Sequence, residues 1–169
     1  MTTIYIGVGS NIERERNIAA GLDQLAELDP QLRLSPVYES AALGFRGEPF
    51  LNLVVALQLA LSVGELLQTL RAIERANGHP GNLPKFSDRS LDLDILLYGD
   101  CCGEVDGVQL PRDEIADCAY VLWPLADLAP DLCHPLNGRR YVELRAAFPH
   151  RQQLQRVPFV WRGADLSAN

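Results

Sequence analysis

Four short apolar, β-branched runs at residues 3–9, 32–38, 50–59 and 91–98 interleave with two segments of helical apolar spacing. Their order, strand, helix, strand, strand, helix, strand, predicts an α+β fold, a ferredoxin-like split βαβ sheet with helices packed on both faces.

The first run, TIYIGVG, is broken by Gly9, Ser10 and Asn11, with Asn11 offered as a helix cap. From Arg14 to Leu28 the positions Ile18, Leu22 and Leu25 recur at helical spacing until Pro30 stops the pattern. The strands at 32–38 and 50–59 are separated by SAALGFRGEP, too rich in glycine and proline for either element and long for a hairpin. Ser62 with Glu65 three places on is a capping box, and Val63, Leu66, Leu67, Leu70 and Ile73 form the apolar stripe of the second helix. NGHPGNLPKFSDR cannot continue that helix and reads as a mobile loop. The fourth strand, 91–98, closes at Gly99; short helices follow at 120–128 and 142–148. From Pro149 the chain gives no clear pattern. No repeat or linker divides the 169 residues, which read as one domain.

Composition narrows the function classes. A hydrophobic content of 47% is that of an ordinary globular chain, and no run approaches the ~20 apolar residues of a membrane span. MTTIYIGVGSN lacks the basic and apolar segments of a secretory signal, so a cytoplasmic protein without membrane partners is expected, and a monomer is the expected state. A net charge of −7 argues against nucleic acid as a partner, while leaving room for a small anion in a local basic pocket. Cys101, Cys102, Cys118 and Cys133 have neither zinc-site nor disulfide-framework spacing and read as reduced thiols.

Chemistry concentrates in RSLDLDILLYG. In a strand, residues two apart share a face, so Asp92 and Asp94 project together while Leu91, Leu93 and Ile95 project into the core. An edge strand with two solvated aspartates has the same pattern. Arg89, three residues before the pair, and the apolar character of the strand favour a metal site instead. Two close carboxylates repel unless a divalent cation such as Mg²⁺ neutralises them, and metal with arginine serves phosphate transfer. GVGSN lacks the G-K-S/T of a nucleotide loop, and no G-x-S-x-G accompanies His79, His134 or His150.

The GSN after the first strand, YESAALGFRGEPFLNLVVAL, RSLDLDILLYGD and YVLWPLADLAP together resemble the 6-hydroxymethyl-7,8-dihydropterin pyrophosphokinase family over residues 4–132. The resemblance implies transfer of pyrophosphate from ATP to the pterin hydroxymethyl oxygen in folate biosynthesis, with AMP released. It implies two Mg²⁺ on Asp92 and Asp94, and Arg89, Asp92 and Asp94 as the catalytic set. Ser40, Leu43, Phe50, Asn52 and Tyr120 fall at pterin positions; Glu74, His79, Phe86, Arg89 and Arg112 fall on the nucleotide side. Phe50 and Tyr120 suit stacking on a flat heterocycle and Asn52 suits its amide edge, although each aromatic alone reads equally as core. Glu74 alone reads as a solvated helix face.

Departures from the family pattern thin the cationic shell: His79 and Gly81 stand where arginines are expected, Phe86 replaces a tryptophan, Cys118 replaces an arginine, and Asp88 stands for proline beside Arg89. Arg112, in place of a histidine, restores one charge. Two alternatives stay open, a diverged paralogue that binds a pterin without efficient transfer and an enzyme acting on a related heterocycle.

Overall fold

The computed structural model describes residues 1–42, 46–81, 83–84, 87–149 and 153–168. Leu43, Phe86 and His150, named above, lie outside the described residues, as does Lys85.

The chain opens with strand β1 (Thr2–Ser10) and helix α1 (Arg14–Leu28). Asn11 does not cap this helix, contrary to expectation; the cap position is Glu13, in the left-handed region at φ 38°, with no side-chain capping bond. The expected strand at 32–38 is divided into β2 (Arg33–Leu34) and β3 (Val37–Ser40). Pro36 has no N–H to give to a ladder, and Ser35 takes over the pairing with Val54 through both its backbone and its hydroxyl. Next come β4 (Phe50–Leu59), α2 (Val63–Ala76), whose Ser62–Glu65 capping box forms as predicted, and β5 (Asp92–Tyr98).

β1 lies antiparallel between β5 and β4, and β3 pairs with the far side of β4. Each β-α-β unit is thus split by a strand of the other, the predicted topology. Helices α1 and α2 cover one face, where Ile18, Leu22, Leu66 and Leu70 pack against Ile6, Leu53 and Leu93.

The remainder carries the two short helices predicted near 120–128 and 142–148, together with elements that the sequence reading lacked. A hairpin, β6 (Gly103–Val105) and β7 (Val108–Leu110), turns at Asp106 and Gly107, both at positive φ. Helices α3 (Glu114–Asp117), α4 (Ala119–Leu128) and α5 (Tyr141–Ala146) follow, and Leu122, Leu125 and Tyr141 cover the other face of the sheet. The tail forms β8 (Leu154–Val157), antiparallel to β3, and a small hairpin of β9 (Val160–Trp161) and β10 (Ala164–Asp165). No helix among the described residues is long and apolar enough to cross a membrane, and the four cysteines are free.

Candidate active site

Cross-strand register builds the floor of a cavity on the α4 side of the sheet. Gly9 of β1 pairs with Asp92 on one side and Asn52 on the other, and Gly7 pairs with Asp94 and Val54. The two aspartates therefore stand in a row with the strand-four residues, separated by glycines that contribute no side chain. The strand alternation read from the sequence has its physical counterpart: Leu91, Leu93 and Ile95 lie in the core under α1 and α2, opposite the aspartates. A register shift between Tyr5 and Ile6 leaves Leu96 as an extra residue in β5. This bulge turns both Leu96 and Leu97 towards the α4 side, and Leu96 closes the cavity behind Asp94.

The cavity holds about 180 Å³ accessible to water-sized molecules. Ser40, Phe50, Asn52 and Tyr120 line it together with Arg89, Asp92, Asp94 and Arg112. Asn52 Nδ2 donates to Ser40 Oγ at 3.0 Å, which leaves the amide oxygen and the second N–H for other partners. Burial, followed by a hydrogen bond with Cys118, raises the Tyr120 phenol well above its usual range and keeps it neutral.

Electrostatically, the aspartates are an unmatched pair. Burial first, then the neighbouring Asp92 charge, pushes Asp94 up to about 7; burial also raises Asp92, with the Glu74 charge adding to it. Arg112 Nη2 approaches Asp94 Oδ1 at 3.5 Å while its Nε pairs with Glu114 Oε2 at 3.0 Å, so its charge is shared. Arg89 lines the cavity and ties its guanidinium to Ser87 Oγ and, at 2.8 Å, to the Pro84 carbonyl. Asp88, which threatened to bring negative charge to the site, instead accepts from Asn11 Nδ2 at 2.7 Å and does not line the cavity.

Glu74 and His79 occupy a different place. Glu74 is 2% exposed, which excludes the solvated helix face. It sits at the open edge of β5, accepting the Leu93 N–H at 2.7 Å and Arg71 Nη1 at 2.5 Å, while Arg71 also donates to the Leu93 carbonyl. His79 is buried nearby, and the candidate ligand atoms of Glu74, His79 and Asp92 lie within 4.8 Å of one another. His79 Nδ1 already accepts from Gly81 N–H, and both Glu74 oxygens are engaged, so Asp92 has more free coordinating capacity than either neighbour.

A second cavity adjoins the first, sharing Arg112 and Glu114 and lined further by Leu67, Arg71, Ile95, Val108 and Gln109. Sequence reasoning missed it because the β6–β7 hairpin had not been read. It missed Gly7 and Gly9 because their role depends on register; Glu114 carried no motif.

Comparison with known proteins gives a consistent result. The family described as 7,8-dihydro-6-hydroxymethylpterin-pyrophosphokinase matches residues 5–130. A 2-amino-4-hydroxy-6-hydroxymethyldihydropteridine pyrophosphokinase of Pseudomonas aeruginosa is 41% identical over 160 residues, covering 92% of this chain and 96% of that protein. The protein of the same name from Aquifex aeolicus is 32% identical, covering 86% of this chain and 91% of its own length. Among solved structures, an HPPK-DHPS in complex with substrates superposes with a TM-score of 0.68 at 11% identity, over 97% of this chain and 48% of that one. The HPPK-DHPS of Plasmodium falciparum bound to pteroate gives 0.65 at 11% identity, over 87% of this chain and 44% of that one. The chain thus spans about half of these solved proteins, and at such identity they speak to the fold alone.

Proposed function

Because the chain belongs to the 7,8-dihydro-6-hydroxymethylpterin-pyrophosphokinase family, we propose that it transfers pyrophosphate from ATP to 6-hydroxymethyl-7,8-dihydropterin, giving AMP and the pterin diphosphate in folate biosynthesis. The observation that carries this reading is the meeting of two cavities at Arg112 and Glu114, with Asp92 and Asp94 in the wall of the first.

The flat pterin enters the first cavity, stacked by Phe50 and Tyr120, its amide edge read by Asn52 and Ser40. The nucleoside takes the second, against Leu67, Ile95 and Val108, and the triphosphate crosses Arg112 towards Arg89. The pterin hydroxymethyl oxygen then bonds the β-phosphorus in line as the bond from that phosphorus to the oxygen kept by AMP breaks; the hydroxyl proton passes to solvent. Positioning and charge do most of the catalysis.

The donor set fits Mg²⁺: Asp92 and Asp94 offer only oxygen, and their raised proton affinities mark an unneutralised pair. Bound there, Mg²⁺ supplies charge neutralisation of the phosphates. Glu74 and His79 lie beside Asp92 at the strand edge and are assigned no direct contact with the nucleotide. We read residues 1–169 as one domain, since the tail strand β8 pairs with the same sheet through β3, and propose that it acts as a cytoplasmic monomer.

The test is to incubate the protein with Mg-ATP and 6-hydroxymethyl-7,8-dihydropterin and follow AMP. AMP that disappears in Asp92→Asn is the expected result. ADP in its place would rule out pyrophosphoryl transfer, and tight pterin binding without turnover would favour a binding protein.

A further inference from the structure

Asn11, which the sequence offered as a helix cap, spends its side chain elsewhere. It is 4% exposed, and its amide makes three hydrogen bonds: Oδ1 accepts the Arg89 N–H at 2.7 Å, and Nδ2 donates to Asp88 Oδ1 at 2.7 Å and to the Glu48 carbonyl at 3.1 Å. Its backbone N–H donates to the Arg89 carbonyl at 3.0 Å. The β1–β5 ladder ends at the Gly9–Asp92 pair, so Asn11 continues the pairing beyond the strands, using a side chain where the ladder would use backbone. Next to it, the fully buried Ser10 donates its hydroxyl to the Ser90 carbonyl at 2.6 Å.

We propose that Asn11 is a positioning residue of the transfer site, fixing Arg89 relative to Asp92 and tying that wall of the cavity to the β3–β4 loop at Glu48. This rests on the transfer reading above. The chemistry selects asparagine: one planar group must present an acceptor to Arg89 N–H and two donors to Asp88 and Glu48. An aspartate keeps the acceptor but sets a carboxylate against that of Asp88. A leucine of similar size would leave the half-buried Arg89 N–H and the Glu48 carbonyl without these partners. Because Arg89 lines the cavity, loosening this tie displaces a cation aimed at the transferring phosphates, which affects the transition state more than substrate binding.

The experiment compares wild type, Asn11→Asp and the double variant Asn11→Asp/Asp88→Asn by kcat, KM for each substrate and thermal midpoint. In the double variant an asparagine at 88 donates to the aspartate at 11, restoring that pair while the bond to the Glu48 carbonyl stays lost. The expected result is a fall in kcat of about tenfold or more in Asn11→Asp with KM values changed much less, and recovery of part of that loss in the double variant. An Asn11→Asp protein with wild-type kcat, or one whose loss is matched by a collapse of the thermal midpoint and is not recovered in the double variant, overturns the role of Asn11. A wild-type protein that forms no AMP overturns the transfer reading itself, so the two failures are told apart by the wild-type assay. Where Asn11→Asp fails to fold, Asn11→Ser with kcat, KM and amide exchange at Arg89 gives the same decision: faster exchange at Arg89 with lowered kcat supports the role, and unchanged exchange and kcat overturns it.

Discussion

Gly9 faces Asn52 across the β1–β4 ladder so closely that a Cβ on Gly9 would stand 2.9 Å from Asn52 Oδ1. The contact requires glycine through lack of space, since Gly9 is not among the positive-φ residues. Gly9→Ala therefore displaces the Asn52 amide, the group proposed to read the pterin edge. The expected outcome is a rise in pterin KM of about tenfold, corresponding to the loss of about one good hydrogen bond, with ATP KM little changed. Titration calorimetry with pterin alone would show the same loss, and equal affinities for wild type and variant would exclude this role for Asn52.

Asp94 predicts a pH dependence of stability in the absence of divalent cations. Its proton affinity rises from an ordinary 3.8 to about 7, with burial the leading cause. Between those values the folded chain holds a proton that the unfolded chain releases, so stability falls as pH rises through this range and levels above 7. The change is at most about 4 kcal/mol, and less where water reaches the pair; the Asp94 side chain is 24% exposed. Mg²⁺ favours the ionised pair, so it should stabilise the protein far more at about pH 8 than at about pH 5. His134, whose proton affinity burial lowers, acts in the opposite direction, contributing stability that is lost on acidification. Comparing melting curves of wild type and Asp94→Asn measures the share of that aspartate: the variant should show a shallower slope, since burial also raises Asp92, and an unchanged slope would assign the effect elsewhere.

What could be read in advance was what local periodicity encodes. The strand alternation placed Asp92 and Asp94 on one face and their leucine neighbours on the other, and the capping box at Ser62 fixed the start of α2. The Asp106–Gly107 hairpin was also legible, because an Asp-Gly step between apolar runs supplies two residues suited to positive φ; it was overlooked. Other features depend on partners distant in sequence. β8 reaches β3 across more than a hundred residues, and Gly9 acquires its meaning only when Asn52 and Asp92 are known to flank it. Glu74 has the sequence character of a surface helix residue, and only the open edge of β5 explains its burial.

That edge gives a stability prediction. An edge strand exposes backbone groups, and here a helix ion pair occupies both of those on Leu93, Glu74 taking its N–H and Arg71 its carbonyl. Glu74→Ala leaves a buried N–H without its partner and Arg71 without its carboxylate, at an expected cost of about 2–4 kcal/mol. Glu74→Gln keeps an acceptor for Leu93 and should lose roughly half of that. Urea unfolding measures both; equal stability of Glu74→Ala and wild type would show that solvent satisfies the edge as well as the side chain does.

Arg112 is where the two cavities meet, and its position separates two roles. Its backbone N–H donates to the Leu96 carbonyl at 3.0 Å, which fixes the start of the side chain against β5. Burial lowers its proton affinity, but Asp94 and Glu114 outweigh that and hold the guanidinium firmly charged. If it grips the triphosphate, Arg112→Ala should lower kcat/KM for ATP by about 10²–10³, the range for losing one charged donor to a transferring group. Arg112→Lys should recover part, since a lysine supplies the charge without the planar fork. The same guanidinium competes with a cation for Asp94, so its removal should tighten Mg²⁺ binding measured without nucleotide. A variant with tighter Mg²⁺ binding and unchanged kcat/KM would reduce Arg112 to a counter-ion for Asp94, and the loss of the Cys118 position's charge would then stand uncompensated. The expected pair of results, weaker ATP use with tighter Mg²⁺, is what a phosphate grip resting on a metal carboxylate requires.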